Sequence, residues 1–292
     1  MGRVSSVPSS LEERIEAEWE AQAAMAVPGD DVVYAHDPPP PEGSHLDRFG
    51  FTCDGPGPAP PLSKEEAGLE ATRLAKWLQM GVAAHDQSVW KAFSSAKIKE
   101  RCRKGVPNQL RASVWARLSG SKDLCARNRG LYDALLERTS ASEPEIIRDV
   151  ARTFPRHIHF TQRAGLGQQQ LFRVLKAYAN YDEVIGYAQG CNFVAAIMLM
   201  YCASEEEAFW LFVAIMKGAN GNEPLEGLFV PGLPLVRQCL YLLDGLIMHA
   251  APKLGAHLRA QGADPTMYAT QWFVTLFSYS LPFDIVLRIW DV

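Results

Sequence analysis

The order of apolar and polar residues along the chain predicts a protein built from helices. From residue 63 onward, apolar side chains recur three and four positions apart, a spacing that places them on one face of an α-helix. In "QQQLFRVLKAYANY", for example, Leu171, Val174, Leu175 and Tyr178 follow this rule. No segment shows the convincing alternation of apolar and polar residues that is typical of a strand. The pattern therefore predicts an all-α fold.

One segment differs from this one-faced pattern because it is apolar on every side. It is "CNFVAAIMLMY", from Cys191 to Tyr201. In a chain that folds in water, such a helix is enclosed by other helices. The longest apolar run, residues 193–203, is far shorter than the roughly 18 residues that a membrane-spanning helix needs. We therefore expect this helix at the centre of a bundle.

Serine and glutamate side chains three residues apart mark several helix starts. In this arrangement the serine side chain accepts a hydrogen bond from the backbone N–H three residues later, and the glutamate side chain accepts one from the serine N–H. The sequence predicts four such starts, with Ser10 and Glu13, Ser63 and Glu66, Ser142 and Glu145, and Ser204 and Glu207.

The composition changes at about residue 62. Residues 1–62 contain "DPPPPEGS" and "CDGPGPAPP", and such proline and glycine densities leave too little apolar surface to order a chain. We predict a largely disordered tail there, in which the helix after Ser10 is only marginally stable alone. Residues 63–103 form a helical lead-in, and the main domain covers residues 104–292.

Composition and charge exclude several classes of function. With 292 residues, 48% of them hydrophobic, the chain can bury a large core, and its net charge of −4 gives no general attraction to nucleic acid or anionic membranes. The basic segment at residues 91–117 is interpreted as a solvated helix face, because no zinc-finger or RNA-recognition signature accompanies it. The six scattered cysteines and the absence of a secretory signal predict a cytoplasmic location.

Motifs for independent catalysis are also missing. The sequence contains no phosphate-binding G-x-x-x-x-G-K-[ST], no H-E-x-x-H, no G-x-S-x-G and no EF-hand loop. His157 and His159 lie close together but lack a third ligand at a suitable spacing, so we interpret them as loop histidines and expect no metal site.

The segment "EIIRDVARTF", from Glu145 to Phe154, carries an unusual pair of charges. Its apolar residues fall on one side of a helix, which predicts that Arg148 and Arg152 face outward on the other. Like charges one turn apart cost a helix roughly 0.2 to 0.5 kcal/mol, and Asp149 offsets only part of that. This suggests that something outside the helix requires the positive charge.

Three short segments resemble the three signature motifs of the TBC domain, the GTPase-activating module for Rab proteins. They are "GVPNQLRASVW", "IIRDVARTF" and "GYAQGCNF", and they occur in the family's order. The segment "DPTMYATQWFVTLFSYSLPFDIVLRIWDV" is similar to a late part of the domain, and the family pattern continues beyond its Trp-Asp, so we expect a domain incomplete at its C-terminal end. "DRFGF", residues 47–51, resembles a lead-in of some family members. The motif positions are Arg111 and Trp115 in the first segment, Ile146, Asp149 and Arg152 in the second, and Tyr187 and Gln189 in the third.

The resemblance implies a helical bundle of two subdomains that activates a GTP-bound Rab GTPase in vesicle trafficking, without turnover chemistry of its own. Arg152 and Gln189 would enter the Rab active site in trans, with Asp149 holding Arg152 and Tyr187 supporting the loop. GTP and Mg²⁺ would be carried by the partner, and membrane association would be at most peripheral.

Other interpretations of these residues remain open at this stage. Local sequence alone favours an outward salt bridge for Arg152 and an ordinary helix-start role for Gln189. Arg111 and Trp115 lie four apart on one helix face, which predicts a structural role: an indole covering apolar surface and a guanidinium paired with a carboxylate or carbonyls. The alternative function is a non-catalytic Rab-binding or scaffold protein with the same fold.

Overall fold

The computed structural model describes residues 10–25, 44–53, 61–82 and 88–292, and helices dominate these residues. The α-helices are α1 (Leu11–Met25), α2 (Lys64–Gln79), α3 (Ser88–Lys91), α4 (Ser95–Lys104), α5 (Arg111–Ser119), α6 (Ser121–Arg127), α7 (Leu131–Glu137), α8 (Glu143–Ala151), α9 (Leu166–Tyr181), α10 (Cys191–Tyr201), α11 (Glu205–Lys217), α12 (Pro234–Ala250), α13 (Pro252–Ala260), α14 (Pro265–Tyr268), α15 (Thr270–Val274) and α16 (Phe283–Trp290). Two strands, β1 (His45–Leu46) and β2 (Thr52–Cys53), pair in an antiparallel hairpin that the sequence patterns did not predict. The all-α prediction is otherwise confirmed.

Helix α10 forms the centre of the bundle, as its apolar sequence predicts. Its residues from Cys191 to Leu199 are all buried, and α5, α8, α9 and α11 pack around it. On α9, the predicted apolar face is also buried, with Leu171 and Val174 completely enclosed. Hydrophobic burial of this one-sided kind explains why α8 and α9 fold where the 3.6-residue pattern places them.

A second group of helices follows the first. Helix α12 packs against α13, α14 and α15, whereas α5, α8, α9 and α11 surround α10. Helix α16 then returns to the first group, where Val286 and Leu287 are buried in the main core and Trp290 packs against Trp115. Within the described residues, every helix is too short or too polar to cross a membrane.

The helical lead-in shares a small core of its own with the start of the main domain. Trp77 of α2 packs with Cys102 of α4 and with Val114 of α5. The Trp77 indole N–H donates to the carbonyl of Gly105 at 2.9 Å, which satisfies the indole where it is buried. The lead-in is therefore packed onto the domain.

Two segments of the predicted tail are also folded against the domain. Ile15 of α1 is fully buried against α8, and Arg14 forms an ion pair with Glu143 at 3.0 Å. The hairpin at residues 45–53 pairs with the chain near residue 157. Both are segments that the sequence marks within the largely disordered tail, a helix after Ser10 and the segment "DRFGF", and each finds apolar partners on the domain. Residues 1–9, 26–43 and 54–60 lie outside the described residues.

Three of the four predicted helix starts are present. Reciprocal hydrogen bonds join Ser10 with Glu13 and Ser63 with Glu66, and the Ser204 side chain accepts from the Glu207 N–H at 3.1 Å. The prediction for Ser142 is wrong. Its backbone is already helical, with φ −81° and ψ −6°, so its side chain does not reach the first turn.

Candidate functional site

Helix α8 ends at the first candidate residue. Its apolar side, with Ile146 and Val150 completely buried, fixes the helix against the core. The last helical residue is Ala151, and Arg152 follows at the C-terminal cap with φ −107° and ψ 8°. The predicted continuation to Phe154 is wrong, because Phe154 adopts a left-handed φ of 45° that ends the helical path.

The guanidinium of Arg152 is held by the carboxylate of Asp149. The Arg152 Nε donates to Asp149 Oδ1 at 2.9 Å, and an Nη atom lies 2.6 Å from the same oxygen. The Arg152 side chain is 24% exposed and that of Asp149 only 7%. Arg152 is therefore only partly exposed and makes the salt bridge with Asp149 that local sequence favoured. Arg148, whose Nε donates to the Pro144 carbonyl, is exposed.

The second oxygen of Asp149 connects this helix to the third motif. The Tyr187 hydroxyl donates to Asp149 Oδ2 at 2.5 Å. Burial, together with the neighbouring Asp149, raises the pKa of Tyr187 well above its usual value, so the hydroxyl keeps its proton and acts as a donor. One buried carboxylate thus positions both Arg152 and the segment that carries Gln189.

Gln189 lies exposed in the predicted turn just before α10. The next residue, Gly190, has a φ of 109°, and its N–H donates to Asn192 Oδ1 at 3.0 Å. A Cβ at Gly190 would lie 2.3 Å from the carbonyl oxygen of Val274, so only glycine permits this close approach. The turn is therefore pressed against α15, and Gln189 projects from a rigid base.

A buried polar link that the sequence analysis missed joins the two motifs a second time. Asn192 Nδ2 donates to Thr153 Oγ1 at 2.8 Å, and Thr153 Oγ1 donates to the Asp149 carbonyl at 2.6 Å. Both side chains are buried. The sequence signal for this link was Asn192, the single amide in the otherwise apolar sequence of α10. A buried amide without a hydrogen-bond partner costs about 1 to 3 kcal/mol, so a partner was to be expected.

The hairpin β1–β2 supports the chain just after Arg152. The Thr52 N–H donates to the Arg156 carbonyl at 2.8 Å, and the Ile158 N–H donates to the Gly50 carbonyl at 2.9 Å. These two hydrogen bonds tie the hairpin to the segment around residue 157, which has no helix or strand of its own. The segment "DRFGF" supplies this hairpin.

Aromatic rings fill the space between this hairpin and the core. Phe154 lies near Phe51 of the hairpin, Phe193 of α10 and Phe283 of α16, with ring centroids 5.9, 5.2 and 6.4 Å away. A non-glycine residue with positive φ costs on the order of 1 to 3 kcal/mol and persists only where packing enforces it. The aromatic cluster provides that packing.

His157, one of the two loop histidines, is a buried hydrogen-bonding group. Its Nε2 donates to the Phe49 carbonyl at 2.9 Å, and its Nδ1 accepts from the His159 N–H at 3.2 Å, an arrangement that requires the neutral ring. Burial lowers the pKa of His157 to about 4. Across the described residues, no group of three or more potential His, Cys, Asp or Glu ligands gathers to hold a metal ion.

The first motif lies inside the protein. The Arg111 guanidinium donates to both oxygens of Asp291, at 3.0 and 3.1 Å, and to the Val106 carbonyl at 2.7 Å. The Trp115 ring packs between Tyr201 and Trp290, with centroids 5.4 and 5.6 Å away. These contacts join α5 to the C-terminal helix α16 and place both residues in the core.

Comparison with known proteins identifies the family. Residues 108–292, more than half of the chain, match the family model of the Rab-GTPase-TBC domain. TBC1 domain family member 10A of Mus musculus is 37% identical over 253 residues, which are 85% of this chain and 48% of the mouse protein. GTPase-activating protein GYP5 of Eremothecium gossypii is 40% identical over 198 residues, 68% of this chain and 22% of GYP5. The chain belongs to the Rab-GTPase-TBC domain family.

Solved structures agree with this assignment. The TBC domain of the Chlamydomonas flagellar RabGAP superposes with a TM-score of 0.65 at 30% identity, covering 84% of this chain and 78% of that one. The two-subdomain helical fold predicted from the motifs is thereby confirmed. The chain spans less than two thirds of the length of the curated relatives it matches.

Proposed function

We propose that the protein accelerates GTP hydrolysis by a GTP-bound Rab-family GTPase, with Arg152 and Gln189 inserted into the partner's active site. The observation that carries this proposal is the Asp149 carboxylate, which accepts hydrogen bonds from Arg152 and from Tyr187, two residues before Gln189. This single group links the helix end that carries Arg152 to the segment that carries Gln189, two regions remote in sequence. The relative GYP5 is itself described as a GTPase-activating protein.

Arginine suits the reaction because hydrolysis spreads negative charge over the transferred phosphoryl group. A guanidinium keeps its charge at any physiological pH and can contact two phosphoryl oxygens at once. Arg152 is oriented before the partner binds, since Asp149 holds one edge of the guanidinium while part of the side chain remains exposed. An inserted arginine raises the rate by about 10³ to 10⁵, which corresponds to roughly 4 to 7 kcal/mol of activation free energy.

Gln189 fits the second requirement, which is to orient the attacking water. GTPases often use their own glutamine for this step. In this protein the exposed amide of Gln189 projects from a turn fixed by Gly190 and Tyr187. An amide held on a rigid turn loses little conformational entropy when it engages a partner.

The proposal assigns no cofactor to this chain. GTP and Mg²⁺ belong to the Rab partner, and this protein supplies two side chains and a surface, so it is an activator without turnover of its own. Its setting would be the cytoplasmic side of intracellular membranes, where it would act in vesicle trafficking.

The test is single-turnover GTP hydrolysis measured over a panel of purified Rab proteins. We expect at least one Rab to hydrolyse GTP faster in the presence of this protein. Arg152→Ala and Gln189→Ala should each remove most of that stimulation, whereas Arg148→Ala, one turn earlier on the same helix, should leave it intact. Stimulation that survives both substitutions would refute the mechanism.

The same panel separates activation from the alternative of a non-catalytic Rab-binding protein. Binding to a GTP-loaded Rab, measured without hydrolysis, should persist in Arg152→Ala. If the unaltered protein binds a Rab and leaves its hydrolysis rate unchanged, the scaffold function is correct and the activator function is wrong.

A further inference from the structure

A pocket on the opposite end of α16 from the aromatic cluster is lined mostly by basic side chains. It has a volume of about 340 Å³ and is formed by α2, α4 and α16. None of the candidate-site residues line it. Six of its lining side chains are basic and no carboxylate is among them: Arg73, Lys76, Arg101, Arg103, Lys104 and Arg288.

Carboxylates around the rim neutralise only part of this charge. Arg73 lies 3.6 Å from Glu70, Lys104 pairs with Glu100, and Arg288 lies 3.4 Å from Asp291. Two of these acids are shared, since Glu100 also pairs with Lys97 and Asp291 also pairs with Arg111. The remaining three cations, Lys76, Arg101 and Arg103, have no ion pair among the described residues.

Five of these basic residues lie in the last turn of a helix, where positive charge is favourable beside the C-terminus. They are Arg101, Arg103 and Lys104 of α4, Lys76 of α2 and Arg288 of α16. That effect acts within each helix and does not require the three helix ends to meet. The three ends nevertheless converge on the same space, in a chain whose net charge is −4. Bringing these like charges together adds repulsion, reduced by solvent at the exposed positions, and an anion in the pocket would relieve it.

We propose that this basic pocket binds a polyphosphorylated headgroup, of the chemistry shared by phosphoinositide lipids and free inositol phosphates. Lysine and arginine are the side chains that bind phosphate, and the planar guanidinium does so through two parallel hydrogen bonds. The volume lies within the range of about 300 to 1,000 Å³ found for small-molecule sites, so one headgroup can enter with cations on several sides.

The shape of the site favours such a headgroup over nucleic acid. Nucleic-acid surfaces extend along the polymer and interleave exposed aromatic rings with basic residues. The one aromatic residue in this lining, Trp77, is buried, and its indole N–H is already bonded to Gly105. A compact concave cation cluster fits a small anion of high charge.

The experiment compares full-length protein on vesicles of two compositions. One set contains phosphatidylcholine with phosphatidylinositol bisphosphate, and the other contains phosphatidylserine adjusted to the same total charge. Co-sedimentation measures binding, and isothermal titration with inositol hexakisphosphate measures headgroup affinity without a lipid. The test variant is Lys76→Gln/Arg101→Gln/Arg103→Gln. The matched control is Lys122→Gln/Arg127→Gln/Lys253→Gln, which removes the same charge from exposed positions elsewhere.

We expect preferential binding to the bisphosphate vesicles, weakened roughly tenfold or more in the test variant and little changed in the control. Inositol hexakisphosphate should bind with the same dependence on the variants. If inositol hexakisphosphate binds and neither vesicle set does, the site is confirmed and its ligand is a soluble inositol phosphate.

Three results would overturn the proposal: measurable binding that is equal on the two vesicle sets, an equal loss of binding in the test and control variants, or tighter binding to single-stranded RNA than to the headgroup. Thermal unfolding of each variant verifies folding. Stimulation of a soluble Rab should be unchanged in the test variant, so this inference and the proposed function are tested separately.

Discussion

Two arginine–aspartate pairs in this protein have the same chemistry and different surroundings. Arg111 and Asp291 are 180 residues apart and almost completely buried, with side chains 5% and 0% exposed. Arg152 and Asp149 are three residues apart at a helix end, and the arginine is 24% exposed. In the first pair the guanidinium contacts both carboxylate oxygens and a carbonyl, whereas in the second it contacts one oxygen.

The difference shows what makes an arginine available for a partner. At Arg111, the hydrogen bonds are directed inward, so the pair can only join elements of the fold. At Arg152, the arginine binds one oxygen of Asp149 while Tyr187 occupies the other, and part of its side chain reaches the surface. The buried pair should therefore affect stability, and the surface pair should affect activity.

The largest effect is expected for Arg152→Lys. This substitution keeps the charge and loses the planar fork, so we expect the stimulated hydrolysis rate to fall by about 10³ or more. The free energy of unfolding should change by no more than about 1 kcal/mol, because lysine keeps a positive charge beside Asp149. Single-turnover hydrolysis and urea denaturation measure the two quantities. Arg148→Lys is the control and should give the unaltered rate of hydrolysis. If Arg152→Lys also stimulates hydrolysis as well as the unaltered protein, the expectation is contradicted.

The buried pair should respond in the opposite way. Arg111→Met leaves Asp291 buried beside Arg288 alone, so we expect the free energy of unfolding to fall by about 3 to 5 kcal/mol. Urea denaturation checks this.

Arg111→Met/Asp291→Leu provides the control, because removing both charges should restore part of the lost stability. A loss below about 1 kcal/mol in the single variant would show that the buried pair is not a structural clamp.

The chain after Arg152 should lose its support in acid. The pKa of His157 is lowered to about 4 from an ordinary value of 6.5, so the unfolded chain binds this proton at higher pH than the folded one. The stabilisation that neutral His157 contributes is therefore fully present above about pH 6.5. It is lost as the pH falls toward 4, by on the order of 3 kcal/mol in total. Urea denaturation across this range measures the change.

His157→Gln is the matched variant, because an amide can still donate to the Phe49 carbonyl and does not titrate. Its stability should depend less steeply on pH across this window, even though His159, whose pKa is also lowered by burial, remains. Identical pH dependence in the two proteins would exclude His157 as the cause.

The smallest effect is expected for Tyr187→Phe. This change removes one hydrogen bond to Asp149 and leaves the ring in place, so the hydrolysis rate should fall by up to about tenfold. Tyr132→Phe is a matched control, because the Tyr132 hydroxyl also donates to a carboxylate, that of Glu205, at 3.0 Å. If both variants slow hydrolysis equally, the Tyr187 hydroxyl has no specific role at the site.

Features set by local sequence were predictable. The one-sided pattern of α9 and the all-round apolar α10 gave their buried faces correctly, because helix period and burial are linked residue by residue. The family resemblance of the motifs singled out Asp149, Arg152, Tyr187 and Gln189, and the first three are joined in the structure by the Asp149 carboxylate. The functional role of the four residues stays a prediction. The caps at Ser63 and Ser204 followed from side-chain chemistry within one turn.

Features that join distant segments were not predictable. Asp291 as the partner of Arg111 depends on α16 packing against α5, and no local pattern encodes that contact. The same is true of Thr52 and Arg156, which are 104 residues apart. The early end of α8 belongs to this group too, because aromatic packing around Phe154 overrides a helical pattern that is locally favourable.

Gly190 ties the glutamine turn to the second half of the chain. Because this turn rests on the backbone of Val274, the location of Gln189 reports how α15 is docked. On the proposed mechanism, a change that displaces α15 would misplace the Gln189 amide and leave Arg152 in position, so only part of the stimulation would remain. Partial loss of activity in a variant altered far from the rim would therefore be a sign of misassembly between the two groups of helices.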